Sequence, residues 1–190
     1  FNKIKYNRGF TLVETLVAVS IFTLSVLGLM SVLSEGLSDT SYTKNKIIGA
    51  YLAQEGIEYI RNLRDTYVLY SADGQTGWNA FNVKMTGANC DQAPGCYFGD
   101  LTVGAFSDNS QPMIDIVLTA CGVTCDTLKY DSLSGKYNYT SGATSPFVRK
   151  MRIVVDPSGN EIEVFSTVYW SKGSGTYQVT FSESLFNWVE

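Results

Sequence analysis

Two groups of residues in this 190-residue chain have types and spacings that suit chemistry: one isolated glutamate and four cysteines. Glu14 is the only charged residue between Phe10 and Leu33. An acid inside such an apolar segment is costly to bury and is functional by default. Its carboxylate lies one helical turn from Phe10, within reach of a group at that position. The alternative is an acid that snorkels to the edge of the apolar segment.

The composition excludes several classes of protein. The chain has no histidine, which removes Ser-His-Asp and Cys-His catalysis and most zinc hydrolases. Its formal net charge is −4, and no Lys/Arg cluster occurs after the first eight residues, although phosphate binding needs such clusters. We therefore expect no enzyme activity, no catalytic residues, no cofactor, no metal and no nucleic-acid partner.

The apolar segment is long enough to cross a membrane. No charge occurs from Thr15 to Ser34, and about 20 apolar helical residues span a ~30 Å hydrocarbon core. Lys3, Lys5 and Arg8 precede it and an acidic excess follows, which predicts a single pass through the cytoplasmic (inner) membrane with the N-terminus in the cytoplasm. A cleaved secretory signal would be shorter, a buried core helix would be striped, and an ordinary anchor gives no reason for Glu14.

The run Arg8-Gly9-Phe10-Thr11-Leu12-Val13-Glu14, followed by this segment, resembles the processing site of type IV prepilins and pseudopilins. In that family a short basic leader ends in Gly, the mature chain begins with Phe, and Glu is the fifth mature residue. More weakly, the closing segment from Val179 to Trp188, with the Val168–Trp170 strand before it, resembles minor pilins of the PilV or GspI kind.

The resemblance implies that a prepilin peptidase cleaves between Gly9 and Phe10 and methylates the new Phe10 amine. It implies that Glu14 pairs with the N-terminal amine of a subunit, usually the neighbouring one, during assembly. The implied partners are other pilin or pseudopilin subunits, an inner-membrane assembly platform and, before assembly, membrane lipid.

The function that we expect is that of a structural subunit, a minor pilin or pseudopilin, in a type IV pilus-like filament or secretion pseudopilus. Such a filament is extracellular or periplasmic. The alternative is a membrane-anchored extracytoplasmic binding module or adhesin that does not polymerise. The two functions are distinguished by whether the chain is found in filaments sheared from cells: a filament subunit would be found there, and a non-polymerising module would not.

Apolar residues at three- and four-residue spacing continue the helix to about residue 65. A break is possible at residues 38–41, and Gly28, Gly36, Gly49 and Gly56 each weaken an isolated helix by up to about 1 kcal/mol. The expected organisation is a leader, a transmembrane polymerisation helix, a helix that continues into the head, and an antiparallel β head, at residues 1–9, 10–34, 35–65 and 66–190.

The C-terminal third predicts a β-meander. Phe147–Val155, Glu161–Trp170 and Thr176–Phe181 are joined by short Gly-containing connections, and alternation in the second run places one face against the helix. Residues 113–119 predict another strand, whereas residues 70–96 are rich in turn signals and predict loops. The fold class is therefore α+β, a long N-terminal helix with an antiparallel sheet, which is also the pilin fold that the resemblance implies.

The cysteines suit an exported head. Four cysteines allow three pairings, and two local disulfides, Cys90–Cys96 and Cys121–Cys125, need the least rearrangement of the chain. Each would hold a loop more than it would stabilise the fold, because short loops lose little closure entropy. Four thiolates around zinc are the alternative, although the spacings differ from the usual Cys-x2-Cys pattern.

Three further features carry weak signals. Asp73, Asp126 and Asp131 could assist calcium binding, but no EF-type loop is present. The twelve Tyr and ten Phe could form a sugar- or surface-binding face, although aromatic residues also simply favour strands. Asn138-Tyr-Thr140 is a glycosylation sequon, which matters only in a host that glycosylates exported proteins.

Overall fold

The computed structural model describes Gly9, residues 11–106 and residues 109–188. It confirms the predicted α+β fold: a long N-terminal helix, α1, is followed by a second helix and seven antiparallel strands. The chain divides after Lys44 into two units. We call residues 11–44 the N-terminal unit and residues 45–188 the head, and each is described by itself.

Helix α1 spans Leu12–Tyr70 without interruption. The possible break at residues 38–41 is therefore absent, and the Thr40 hydroxyl instead donates to the Gly36 carbonyl at 2.8 Å. The helix also ends five residues beyond the expected position near residue 65. Tyr67 explains this extension. Its side chain is buried in the core of the head, and this packing stabilises one more turn of the helix.

The part of α1 inside the head has one buried face. Its buried residues recur every three or four positions, as expected for a helix packed on a sheet; they are Gly49, Leu52, Ala53, Gly56, Ile57, Ile60, Leu63 and Tyr67. Gly49 and Gly56 allow close packing. A Cβ at Gly49 would lie 3.1 Å from the Trp170 ring, and one at Gly56 would collide with the Ser166 hydroxyl.

Helix α2, Gly74–Gly87, replaces the middle of the loop region that the turn signals predicted for residues 70–96, whereas residues 71–73 and 88–94 form bends and turns as predicted. Asp73 is its N-cap and accepts from the Thr76 N–H at 2.7 Å, so the Asp-Gly pair starts a helix instead of a turn. Gly77 lets α2 approach the end of α1: a Cβ there would lie 2.5 Å from the Tyr67 carbonyl oxygen. Trp78, Phe81 and Met85 are buried and have helical spacing. This spacing indicates a helix, but the glycines around it favoured the prediction of turns.

The strands form one sheet, and their bounds are β1 Cys96–Phe106, β2 Asn109–Ala120, β3 Thr127–Asp131, β4 Lys136–Asn138, β5 Ala143–Val155, β6 Glu161–Lys172 and β7 Gly175–Phe186. Strands β5, β6 and β7 form the predicted meander, with Met151 opposite Ser166 and Ser166 opposite Phe181. On its other edge β5 pairs with β1 and β3. The hairpins β1–β2 and β3–β4 therefore extend the sheet beyond the meander.

The core of the head lies between the two helices and one face of the sheet. The predicted alternation in β6 is confirmed, because Ile162, Val164, Ser166, Val168 and Trp170 are all buried. These residues pack beneath α1, while α2 contributes Trp78, Phe81 and Met85 to the same cluster as Ile60 and Leu63.

Candidate functional site

The residues of the expected processing site lie at the start of the described chain. Gly9 is exposed and precedes the helix, and a Cβ at this position would meet no other atom within 4 Å. Phe10, the expected site of cleavage and methylation, and the basic residues Lys3, Lys5 and Arg8 lie outside the described residues. An exposed glycine before a helix is accessible to a peptidase that must approach the backbone closely.

Thr11 caps helix α1, a role that the sequence analysis missed. Its hydroxyl accepts from the Glu14 N–H at 3.3 Å, and its carbonyl accepts from the Thr15 N–H at 3.2 Å. The signal was present, because Thr-x-x-Glu before an apolar run is the sequence of a capping box. Glu14 therefore lies in the first turn of α1, where a negative charge interacts favourably with the helix dipole.

The Glu14 side chain is exposed, and no ion pair is formed by it within the part of the chain that the structure describes. Its carboxylate is thus available to a cation supplied from outside that part. An amine four residues earlier, or one from another chain, would have the required charge. Glu14 can take part in the cap and still offer its carboxylate, because the cap uses only its backbone N–H.

The N-terminal unit exposes apolar side chains on every face of α1. None of the most apolar 18-residue window is buried against the rest of the chain, and this helix is long and apolar enough to cross a membrane. The exposed residues are Leu12, Val13, Leu16, Val17, Val19, Ile21, Phe22, Leu24, Leu27, Leu29, Met30, Val32, Leu33 and Leu37. Exposed apolar surfaces of this extent are typical of membrane or protein interaction sites.

Hydroxyl residues inside this apolar segment satisfy their own hydrogen bonds. The Ser20 and Ser25 hydroxyls donate to the carbonyls of Leu16 and Ile21, each at 2.8 Å. The Thr23 hydroxyl donates to the Ser20 carbonyl at 2.9 Å. Because these donors are used within the helix, they add little desolvation penalty when the helix enters an apolar environment.

The four cysteines are joined in two local disulfides, Cys90–Cys96 and Cys121–Cys125. The first links the segment after α2 to the start of β1, and both of its cysteines are fully buried. Since the sulfurs are bonded in pairs, they offer no thiolate set for zinc. No group of three or more metal-ligating residues occurs among the described residues.

The three aspartates that could have assisted calcium binding have local structural roles. Hydrogen bonds from the Thr76 N–H and hydroxyl lower the pKa of Asp73, and those from the Leu133 N–H and the Ser134 hydroxyl lower the pKa of Asp131. Asp126 accepts from the Tyr97 hydroxyl at 2.8 Å, and this bond raises the pKa of Tyr97. Asp73 therefore caps helix α2, Asp131 caps a turn, and Asp126 binds a hydroxyl group.

Two charged contacts join α1 to the sheet. Arg61 pairs with Glu58 at 2.9 Å and with Glu183 of β7 at 2.5 Å, and the hydrogen bond to Glu183 raises the pKa of Arg61. Arg149 of β5 is 2% exposed and pairs with Glu55 at 2.6 Å. Glu55 and Arg61 both belong to α1, and both side chains reach the sheet.

Comparison with known proteins agrees with this N-terminal site. Residues 4–30 match the prokaryotic N-terminal methylation motif. No curated protein and no solved structure matches the chain. A methylation motif that continues into an apolar helix, followed by an antiparallel sheet, supports a type IV pilin-like precursor. The motif and the pilin-like fold support the type IV pilin and pseudopilin family for this chain.

Proposed function

We propose that this chain is a minor pilin or pseudopilin, a structural subunit of a type IV pilus-like filament or secretion pseudopilus. It is processed after Gly9, methylated on Phe10 and assembled by packing α1 against the α1 helices of other subunits. The observation that carries the proposal is the methylation motif at residues 4–30, which opens into a helix whose apolar side chains are exposed on every face.

The physical basis of assembly is transfer of α1 between two apolar environments. Burying a Val, Leu, Ile or Phe side chain away from water stabilises by roughly 1.5–3 kcal/mol, so the N-terminal unit requires lipid before assembly and neighbouring helices afterwards. The two environments are similarly apolar, and therefore the helix can leave the bilayer without exposure to water. The charges of Lys3, Lys5 and Arg8 oppose this transfer until the leader is removed.

Glu14 gives the assembly a specific pairing. A carboxylate costs about 2.5–3.5 kcal/mol at the centre of an apolar span and less near its edge, and a pairing with an amine offsets the cost at Glu14. Cleavage after Gly9 would create such an amine on Phe10. One proteolytic step thus removes the positive charges of the leader, which hold the helix in the membrane. The same step creates the Phe10 amine that pairs with Glu14, so assembly can only follow processing.

The chain itself has a mechanical role and no catalytic one. The proposed partners are a prepilin peptidase, an inner-membrane assembly platform and other pilin or pseudopilin subunits. The proposed location is the cytoplasmic (inner) membrane, with one pass and the N-terminus in the cytoplasm, and then an extracellular or periplasmic filament. Residues 10–34 serve as the polymerisation helix, residues 35–65 continue it into the head, and residues 66–190 form the surface that contacts neighbours.

The test combines two measurements on cells that express the chain. Mass spectrometry of the membrane-extracted protein should give a mature N-terminus at methylated Phe10, and the protein should appear in filaments sheared from the cells. Gly9→Val serves as the processing variant, and it should leave an intact leader and no filament signal. A chain that keeps its leader in cells would contradict the proposal, and a processed chain that stays entirely in the membrane fraction would favour the non-polymerising binding module.

A further inference from the structure

We propose that a cavity in the head binds an uncharged saccharide, a mono- or disaccharide unit. The cavity has a volume of about 350 Å3 and lies between α1, the start of β1 and the segment from Asp131 to Ser141 that contains β4. This is near the lower end of the range of about 300–1,000 Å3 for small-molecule sites. The inference goes beyond the filament role and does not depend on it.

Aromatic rings form the apolar part of this cavity, which is lined by Tyr59, Phe98, Tyr137 and Tyr139. Phe98 is buried and is held between the Tyr59 ring, 4.6 Å away, and the Arg149 guanidinium, 3.9 Å from its centroid. The three tyrosines are only partly buried. Tyr59 and Tyr137 can present ring surface and hydroxyl groups together, whereas the hydroxyl of Tyr139 is buried and only its ring lines the cavity. Such a lining suits a ligand with C–H faces and peripheral hydroxyls.

The charges around the cavity balance. Glu55 and Asp131 are the acids, and Lys136 and Arg149 are the bases. Arg149 donates to Glu55, while Asp131 accepts from the Leu133 N–H and the Ser134 hydroxyl. Because no excess of either sign is left, the cavity favours an uncharged polar ligand over an anion or a cation.

Polar groups at the rim are fixed in place by the local fold. The Asn138 side-chain oxygen accepts from the backbone N–H groups of Thr140 and Ser141 at 2.9 and 2.7 Å. This orients the amide and leaves its NH2 group as the donor that Asn138 can offer to a ligand. A tyrosine phenol is already a neutral donor near neutral pH. Desolvation by burial raises the pKa of Tyr59 and of Tyr137 further in the same direction.

Contacts of Arg149 hold the base of the cavity together. The Arg149 guanidinium donates to the Leu52 carbonyl and to Glu55 and covers one face of Phe98. These contacts join α1, β1 and β5 directly beneath the cavity. A base preformed by such contacts reduces the ordering entropy that ligand binding must overcome.

The test measures sugar binding by the full chain. The protein is placed in nanodiscs of phosphatidylglycerol and phosphatidylethanolamine, because the headgroup of a maltoside detergent would itself compete for the cavity. Lactose, maltose, mannobiose and chitobiose are the uncharged probes, and sialyllactose is the charged comparison. Isothermal titration calorimetry measures affinity, and saturation-transfer NMR shows which sugar protons contact aromatic rings. At least one uncharged probe should bind more tightly than sialyllactose.

The matched variants are Tyr137→Leu and Tyr130→Leu. The two rings contact each other at 5.0 Å, so both variants lose this contact, but Tyr137 lines the cavity and Tyr130 is not among its lining residues. Tyr137→Leu should weaken binding about tenfold or more, as expected for the loss of one aromatic contact. Tyr130→Leu should leave the affinity within about twofold.

Asn138→Asp keeps the proposal testable if Tyr137→Leu fails to fold. An aspartate can still accept from the Thr140 and Ser141 N–H groups, so the turn is kept while the amide donor is lost. Affinity should fall about tenfold with an unchanged melting temperature. The proposal is overturned if none of the uncharged probes binds, if sialyllactose binds most tightly, or if Asn138→Asp and Tyr130→Leu behave alike. Filament incorporation of the same variants reports on the proposed function separately.

Discussion

Arg149 donates through Nη1 to Glu55 Oε2 at 2.6 Å, and this contact joins strand β5 to helix α1 inside the head. The arginine side chain is 3% exposed, whereas that of the glutamate is 39% exposed. The same Nη1 donates to the Leu52 carbonyl at 3.2 Å. The buried cation of Arg149 is therefore compensated by an acid at the edge of the solvent, and the Glu55 carboxylate supplies the opposite charge.

Removal of the acid should destabilise the head. Glu55→Ala leaves the buried guanidinium without its counter-charge and should lower the free energy of unfolding by about 1–3 kcal/mol. Glu58→Ala is the matched control on α1, because the exposed Glu58–Arg61 pair contributes less than about 1 kcal/mol. Urea unfolding followed by Trp fluorescence reports on the head, which contains Trp78, Trp170 and Trp188.

The double variant Glu55→Ala/Arg149→Met separates loss of the pair from the penalty of an uncompensated charge. Methionine fills much of the space without a charge, so the double variant should be more stable than Glu55→Ala alone. Equal effects of Glu55→Ala and Glu58→Ala would contradict the importance of the buried pair.

Gly56→Ala should destabilise the contact between α1 and the sheet. A Cβ at this position collides with the Ser166 hydroxyl and lies 3.0 Å from the Met151 sulfur, and over-packing of this kind costs about 1–3 kcal/mol. Gly87→Ala is the control, since a Cβ there meets nothing within 4 Å and alanine is the better helix former. Thermal unfolding should therefore show a lower melting temperature for Gly56→Ala and an equal or higher one for Gly87→Ala.

The stability of the head should decrease in acid partly through Asp73. Its pKa is lowered in the folded chain by hydrogen bonds from Thr76. The unfolded chain therefore takes up the proton first as the pH falls. The contribution is fully present above the unfolded pKa of about 3.9 and is lost as the pH falls through the lower folded pKa.

The measurement is the free energy of unfolding of the parent and of Asp73→Asn between pH 7 and pH 2. Asparagine also caps helices but does not titrate, so the parent should lose more stability across the acid range than Asp73→Asn does. Parallel curves for the two proteins would show that Asp73 makes no such contribution.

Glu14→Gln should reduce entry into filaments. Glutamine retains the backbone cap with Thr11 and much of the polarity, but it cannot form an ion pair with the amine of a processed chain. A hydrogen bond to a charged group contributes about 1.5–3 kcal/mol, and about 1.4 kcal/mol is a tenfold change in equilibrium, so incorporation should fall at least about tenfold. Quantitative immunoblots of sheared filaments and of membranes from the same cells measure it.

The control for that experiment is Glu35→Gln, which removes the next acid along α1 and should leave incorporation unchanged. Both variants should be processed normally, since neither residue adjoins the Gly9–Phe10 bond. If Glu14→Gln and Glu35→Gln enter filaments as well as the parent does, the proposed pairing of Glu14 is wrong.

Periodicity in the sequence was sufficient to predict the main elements. The apolar run and the three-to-four-residue spacing predicted α1, and strict alternation predicted β6, because these patterns follow from helix and strand geometry. The turn signals were right at residues 71–73 and 88–94 but failed at residues 74–87. Asp73-Gly74 and Gly77 have the composition of turns, yet the tertiary contact with the end of α1 selects a helix in which Gly77 permits close packing.

The sequence by itself determined the N-terminal motif, since Gly9, Phe10 and Glu14 are read from order and spacing along one local segment, and that segment matches the methylation motif. Only the tertiary structure decided the contacts within the head. Arg149 and Glu55 are 94 residues apart, and the aromatic cavity combines α1, β1 and the β3–β4 region. Such contacts depend on how the sheet pairs and on which helix face it covers, and no local pattern encodes either.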